Sequence, residues 1–222
     1  CLVFMGTYCK FNAPECYGAK ELEVLLEISY LLSSREIDLN EVIGILAGHL
    51  KAERIIVTVL NRESSTITIE GSFGISEEER KSAVYQFGEG IIGKVIDSGE
   101  TVLLKRIAYA DDFLNLTHAP TQINGDDVAF ICSPIRYKDE IIGTLSFHKV
   151  YKEKDRGDFP YEYDIRLLKI ICSMVGRTMR RRQEYAEEME MLRAENQSLR
   201  GELHNRIMPE KIKGNSSKMN EV

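Results

Sequence analysis

Residues 128–150 read VAFICSPIRYKDEIIGTLSFHKV, and the fold follows from this stretch. Two runs of β-branched and aromatic residues flank a short polar turn at Lys138 and Asp139. We therefore predict strands over residues 128–137 and 140–150, joined as an antiparallel hairpin.

The second of these strands carries polar residues on one face. Because side chains alternate with a period of two, Thr144, Ser146 and His148 share a face, and the positions between them are apolar. This pattern fits a ligand pocket, and it fits a solvated sheet face equally well. Both faces of the strand around Phe130 are apolar, so the sequence leaves open which of them joins the polar face.

More strands precede this hairpin. Residues 54–60 form a β-branched run, residues 61–65 are polar, and residues 66–70 alternate between polar and apolar. This pattern predicts another antiparallel hairpin. A further short strand is expected at residues 101–104, and residues 111–127 are polar and irregular.

Helices come before the strands. Residues 21–32 have apolar side chains mostly at helical spacing, and Asp38 with Glu41 has the spacing of a capping box. The second helix then carries the apolar stripe Val42, Ile43, Leu46 and Leu50. The expected fold class is α+β, an antiparallel sheet flanked by helices.

Glycine is frequent in residues 88–94, between the predicted strands. No Lys-Ser or Lys-Thr follows these glycines, so we interpret the run as a tight strand-to-helix turn and not as a phosphate-binding loop.

A long C-terminal helix is predicted over residues 164–205, which contain no proline and would extend about 60 Å. Its apolar residues fit a heptad repeat whose a and d positions predict a dimer interface. The interface positions are Leu168, Ile171, Val175, Arg182, Met189, Leu192, Asn196, Leu199 and Leu203.

Polar residues in this heptad pattern favour a parallel homodimer. An asparagine at an a position, here Asn196, fixes two parallel strands in register. In such a dimer Glu188 of one helix faces the oppositely charged Arg193 of the other. The alternative is a solvated single helix, which Arg182 at an a position favours.

Composition limits the classes of function. A chain of 222 residues fits one domain plus an extension, and a net charge of −6 opposes direct binding to nucleic-acid phosphates. No apolar run is long enough to span a membrane, so we expect no membrane association and a cytoplasmic location.

Neither a catalytic nor a metal site is expected. The five cysteines include no Cys-x-x-Cys pair, and a metal site on Cys1, Cys9 and Cys16 would lack a nearby fourth ligand. The histidines are scattered without a recognised catalytic spacing.

The order of these elements over residues 22–179 resembles the GAF fold, followed by a long coiled-coil helix. Within that family the chain is most similar to the amino-terminal GAF domain of NifA-like activators. The resemblance is carried by FLNLT at 113–117, FICSPI at 130–135 and IGTLS at 142–146.

The tail IKGNS at 212–216, with Met219 and Val222 after it, resembles the start of the AAA+ domain of sigma-54-dependent activators. The implied organisation is an extension of unknown role at 1–18, a GAF sensor domain at 19–180, a coiled-coil linker at 181–207 and the first AAA+ residues at 208–222. No glycine-rich phosphate loop is present, so ATP and Mg²⁺ are expected only in the remainder of the AAA+ domain.

This resemblance implies the regulatory and dimerising region of a transcriptional activator that works with sigma-54 RNA polymerase, with nitrogen-fixation or other nitrogen-related genes as targets. The region would control assembly of the activator's own AAA+ ATPase ring. The polymerase and DNA would be contacted through domains outside this sequence. The alternatives are a GAF sensor of a histidine kinase or cyclase, and a GAF-fold thiol enzyme.

The resemblance also implies a ligand pocket and an effector, for which 2-oxoglutarate is the leading expectation. Residues expected to line the pocket are Phe113, Asn115, Phe130, Cys132, Thr144, Ser146 and His148. The two carboxylates of 2-oxoglutarate need cationic partners, and the candidates are Arg106, Arg136 and His148. A regulatory protein in place of a metabolite is the other option.

Overall fold

The computed structural model describes residues 17–34, 38–151 and 158–207. The chain divides into two compact units, with the division between Thr178 and Met179. The first unit contains the sheet and the helices around it. The second unit, as far as it is described, consists of the remainder of the last helix.

The predicted helices are present, together with short elements that the sequence pattern does not predict. The helices are α1 (Tyr17–Ser33), α2 (Leu39–Leu50), α3 (Glu77–Ser82), α4 (Gly90–Ser98) and α5 (Asp158–Ile207), with a 3₁₀ helix at Ile107–Tyr109. Among the described residues, no helix combines the length and the apolar character that a membrane span requires.

The strands form one antiparallel sheet. They are β1 (Arg54–Asn61), β2 (Thr66–Phe73), β3 (Val84–Gln86), β4 (Val102–Leu104), β5 (Gln122–Ile123), β6 (Asp126–Tyr137) and β7 (Glu140–Val150). Their order is β3-β2-β1-β7-β6-β4, and β5 pairs with β6. Both predicted hairpins, β1–β2 and β6–β7, are confirmed.

Strand register decides which face of β6 joins the polar face of β7. Phe130 pairs with His148, and Cys132 pairs with Ser146, so these four side chains point to the same side of the sheet. All four residues are buried, which excludes the solvated-face interpretation. Helix α4 covers this side and packs on β6 and β7.

The opposite side of the sheet is covered by α2 and by the first part of α5. Helix α5 lies so close to β6 that a Cβ added at Gly176 would stand 2.2 Å from the Arg136 carbonyl oxygen. The thiol of Cys172 lies 3.9 Å from the Ser133 carbonyl oxygen. Contacts this close require a small residue on the helix face that meets the strand.

Three positions of the predicted dimer interface lie in this contact. Leu168, Ile171 and Val175 are each at most 1% exposed within the single chain. Their assignment to a dimer seam is wrong, because the apolar face of α5 that carries them packs on the chain's own core. Heptad spacing does not distinguish a helix buried on a sheet from one buried on a partner helix.

The capping box forms at a different helix from the one predicted, and the glycine run forms the predicted turn. Asp38 caps α2 by accepting a hydrogen bond from the Asn40 backbone, whereas a complete capping box forms at Ser76 with Glu79 and starts α3. Residues 88–93 form the expected turn into α4, and their sequence GEGIIG has the spacing G-x-G-x-x-G. A Cβ at Gly90 would lie 2.7 Å from Leu114, so the chain's own loop covers that turn.

Candidate functional site

A small cavity lies between the polar face of β7, helix α4 and the loop that follows the 3₁₀ helix. Its volume is about 10 Å³, room for about one water molecule. The lining residues are Ile56, Tyr85, Ile91, Ile92, Phe113, Leu114, Thr117, Phe130 and His148. In this conformation the cavity is closed to any larger ligand.

His148 is the cavity's main polar group. It is 2% exposed, and neither ring nitrogen has a hydrogen-bond partner within the described part of the chain. Its ring centroid lies 5.0 Å from that of Phe130 and 5.9 Å from that of Phe113. Burial lowers its pKa to about 3, with a smaller contribution from the charge of Arg54, so the imidazole is neutral at physiological pH.

Arg54 is a cation beside this cavity, and nothing in the sequence alone points to it. It begins β1 and pairs with His148 in the strand register. Its guanidinium donates to the carbonyl oxygen of Thr117, a cavity residue, and lies 3.8 Å from a carboxylate oxygen of Glu79. An arginine held by a loop carbonyl becomes a free donor if that loop moves.

Asn115 holds the loop closed and does not line the cavity. Its side-chain nitrogen donates to the Ala119 carbonyl at 2.8 Å, and its side-chain oxygen accepts from the Ala119 backbone nitrogen at 2.6 Å. Thr117 and Ala119, which belong to this loop, are both buried. The two hydrogen bonds fix the segment that covers His148.

Of the polar pocket residues predicted on β7, only His148 lines the cavity. Thr144 forms a hydroxyl pair with Thr58 at 2.7 Å, and Ser146 donates to the Ile56 carbonyl. Both hydroxyls are thus satisfied inside the sheet. Cys132 is fully buried on the same face and belongs to the apolar cluster under α4.

Arg106 and Arg136, the predicted carboxylate partners, lie away from the cavity. Arg106 forms an ion pair with Asp127 at 3.0 Å. Arg136 donates to the Gly99 carbonyl at 2.7 Å and lines a separate groove. Phe113, Phe130 and His148 are therefore the predicted residues that the structure brings together around the cavity.

The described cysteines do not have the environment of reactive thiols. Burial raises the pKa of Cys132 to about 12, and it raises the pKa of Cys172 even further. A nucleophilic thiol needs the opposite shift. The described residues also contain no cluster of three potential metal ligands. Cys1, Cys9 and Cys16 lie outside the described residues.

The family follows from this arrangement of sheet, helices and cavity together with the sequence. A model of the GAF domain matches residues 36–179. The chain belongs to the GAF domain family.

Similar curated proteins extend beyond the GAF domain. The nitrogen fixation protein AnfA of Azotobacter vinelandii is 34% identical over 99% of this chain and 40% of its own length. The Nif-specific regulatory protein of Herbaspirillum seropedicae is 28% identical over 91% of this chain and 37% of its own length. The chain thus spans about two fifths of the length of these relatives.

The GAF fold also agrees with a solved structure. The crystal structure of the A. aeolicus nlh2 GAF domain in an inactive state has a TM-score of 0.64 and 24% identity, over 74% of this chain and 98% of that one. This likeness concerns the fold alone.

After the GAF domain, helix α5 continues with an exposed apolar stripe in the second unit. Leu192, Leu199 and Leu203 are each about half exposed, and Asn196 is exposed between them. Met189 continues the same spacing and is partly exposed. The side chain of Arg182 lies outside the described residues. Four leucine and methionine side chains at heptad spacing are unusual on a solvated helix.

Proposed function

We propose that this chain is the signal-sensing and dimerising region of a NifA-like transcriptional activator that works with sigma-54 RNA polymerase. The GAF domain match and the names of the relatives support this proposal. A histidine kinase or cyclase sensor has no comparable support among them. The AAA+ ATPase, its ATP and Mg²⁺, and the contacts to DNA and polymerase belong to the rest of the proposed protein.

The proposed sensing function rests on one observation, which is that His148 is buried and its ring nitrogens have no hydrogen-bond partner among the described residues. A buried polar group without a partner costs about 1–3 kcal/mol, and most buried polar groups in folded proteins are satisfied. Here neither ring nitrogen has a hydrogen-bond partner within the described part of the chain, and His148 lines a cavity whose other walls are mostly apolar. A ligand that bonds to His148 would remove this cost.

The proposed effector is a small carboxylate, with 2-oxoglutarate as the first candidate. A carboxylate needs a cationic partner in an apolar site, and Arg54 lies beside His148. Its present acceptor is the Thr117 carbonyl, which a carboxylate could replace. The roles first assigned to Arg106 and Arg136 therefore pass to Arg54.

Binding requires the loop over the cavity to open, because a volume of about 10 Å³ holds only one water. The segment to be displaced is 113–119, which the two hydrogen bonds between Asn115 and Ala119 hold in place. Opening would release Arg54 from Thr117 and expose His148. Loop position would thus report on effector binding.

The proposed output is the assembly state of the attached ATPase. Two chains joined through Met189, Leu192, Asn196, Leu199 and Leu203 would form a parallel coiled coil with two-fold symmetry. A ring ATPase needs head-to-tail contacts, which such a rod opposes. An effector that changes the stability of the rod would shift the balance between the two arrangements.

The test is a calorimetric titration of 2-oxoglutarate into the chain, with succinate as the control ligand. We expect saturable binding that weakens at least about tenfold in Arg54→Gln, since one charge-assisted hydrogen bond contributes about 1.5–3 kcal/mol. Arg80→Gln is the matched control variant, because Arg80 pairs with Glu77 on the surface. It should bind as the wild type does.

Two results would contradict the effector assignment. A flat titration of the folded chain would exclude 2-oxoglutarate and favour a regulatory protein as the signal. Equal affinity in wild type and Arg54→Gln would place the ligand elsewhere. Light scattering on the same samples measures the mass, and a monomer at all concentrations would exclude the coiled-coil dimer.

A further inference from the structure

A second, larger groove lies on the far side of β6 from the His148 cavity. Its volume is about 820 Å³, within the range of sites for small organic ligands. The turn after α4, the end of β6, the β6–β7 turn and helix α5 form its walls. All of the residues that line the groove belong to the first unit, including those that α5 contributes.

The groove is strongly cationic in a chain whose net charge is −6. Arg136, Lys138, Lys169 and Arg177 line it, against the single carboxylate of Glu100. Among the described residues, none of these four cations forms an ion pair with a carboxylate. Four like charges around one groove repel each other unless an anion lies between them.

Helix α5 contributes two of these cations, Lys169 and Arg177, from one of its faces. Lys169, Ser173 and Arg177 stand four residues apart, so they occupy one face of the helix over two successive turns. All three line the groove. The helix therefore offers two cations with a hydroxyl between them.

The floor of the groove supplies further donors. The hydroxyls of Thr101 and Ser133 lie 2.9 Å apart, and only one of their two hydrogens can lie between them. The other hydrogen is available to an acceptor. Arg136 uses one nitrogen on the Gly99 carbonyl and keeps its remaining N–H donors.

We propose that this groove binds a phosphorylated small molecule. Phosphate oxygens match the planar, forked donors of arginine, and the charge of a diphosphate balances several cations at once. This site is distinct from the His148 cavity, so it would take a second signal. Because α5 contributes Lys169, Ser173 and Arg177, the bound anion would link α5 to the turns beside it and raise the melting temperature.

The experiment uses inorganic pyrophosphate and ADP as probes, titrated into the full chain at constant ionic strength. We expect saturable binding to the wild type and at least about tenfold weaker binding to the double variant K169Q/R177Q. The matched control is K81Q/R166Q, which removes the same charge from exposed positions outside the groove. The control should change affinity by less than about twofold.

Circular dichroism and thermal melting of both double variants establish that they fold, which is expected because all four side chains are exposed. Absence of saturable binding to the wild type would overturn the proposal, and so would equal weakening in both double variants. Citrate binding as tightly as pyrophosphate would overturn the phosphate assignment. Normal pyrophosphate binding in Arg54→Gln would separate this site from the proposed effector cavity.

Discussion

Arg54 on β1 pairs with His148 on β7, and the two residues stand where the loop closes over the cavity. Burial, reinforced by the Arg54 charge, lowers the pKa of His148 to about 3. The protein therefore keeps a neutral imidazole, without a hydrogen-bond partner among the described residues, next to a guanidinium held by a loop carbonyl. Both groups have bonding capacity that a ligand could use.

Replacing His148 by leucine tests how much the unpartnered imidazole costs in free energy of unfolding. The His148→Leu variant removes two unpaired buried nitrogens and retains an apolar side chain among Phe113 and Phe130. We expect the free energy of unfolding at pH 7 to rise by about 1 kcal/mol, measured by urea denaturation. A fall of similar size would show that the packing of the imidazole outweighs its missing hydrogen bonds.

The same variant should change the pH dependence of stability. The unfolded histidine binds a proton near pH 6.5, and the folded one binds a proton only near pH 3. Between these two values the unfolded chain is protonated and the folded chain is not, so the free energy of unfolding of the wild type decreases as the pH falls. The advantage of His148→Leu should therefore grow below pH 6.5, by up to about 1.4 kcal/mol per pH unit. Denaturation at pH 7.5, 6 and 5 measures it, and a constant difference would contradict the lowered pKa.

Asp164 joins helix α5 to the end of β7. This carboxylate is 3% exposed, lies 2.6 Å from the Lys149 ammonium and accepts a hydrogen bond from the Tyr151 hydroxyl. We expect Asp164→Asn to lower the free energy of unfolding by about 2 kcal/mol, because it leaves a partly buried ammonium without its counter-charge.

A double-mutant cycle with Lys149→Met separates the ion pair from the hydrogen bond to Tyr151. If the pair acts as a unit, the double variant should lose less than the sum of the two single variants. Strict additivity would show that Asp164 acts through Tyr151 alone.

The hairpins of the sheet were predictable because strand alternation and turn residues are local signals. The face shared by Phe130 and His148 was not, since both faces of β6 are apolar and only the register Phe130↔His148 settles it. Helix α3 and strand β3 were missed because they are short, at six and three residues, and contribute little apolar pattern.

Some of the site residues could likewise be predicted from the sequence, and others could not. Phe113, Phe130 and His148 were found from their family motifs and strand positions. Arg54 was missed because a lone arginine at the start of a strand gives no signal in sequence, and its role arises from a loop 63 residues away. The reverse error concerns Leu168, Ile171 and Val175, whose helical spacing fits a partner helix and the chain's own sheet equally well.

Two glycine-to-alanine variants, one in α5 and one in α2, test the packing of α5 on β6. Gly176→Ala would place its Cβ 2.2 Å from the Arg136 carbonyl oxygen, whereas Gly48→Ala in α2 would meet no atom within 4 Å. We expect Gly176→Ala to lower the melting temperature through overpacking, at a cost of about 1–3 kcal/mol. Gly48→Ala, the matched control, should stabilise by about 0.5–1 kcal/mol. Stabilisation by both changes would contradict the close contact.

The proposed dimer is tested at Asn196, which stands among Leu192, Leu199 and Leu203 at the heptad spacing. A buried asparagine at an a position selects two parallel strands and costs stability, because its amide must be desolvated. Asn196→Leu should therefore raise the melting temperature or shift the mass toward a higher oligomer, measured by light scattering and by melting at several concentrations. Gln197→Leu makes a similar change one position outside the seam and should leave the oligomer state unaltered.

These two variants distinguish the coiled coil from a solvated helix. In a solvated helix Asn196 and Gln197 are equivalent surface positions, and the Arg180–Glu184 ion pair shows that this helix forms local side-chain pairs. Equal effects of the two leucines on mass and melting would therefore exclude the seam. A specific effect at Asn196 alone requires that this face meet a second chain, because no other surface in a single helix distinguishes neighbouring polar residues in this way.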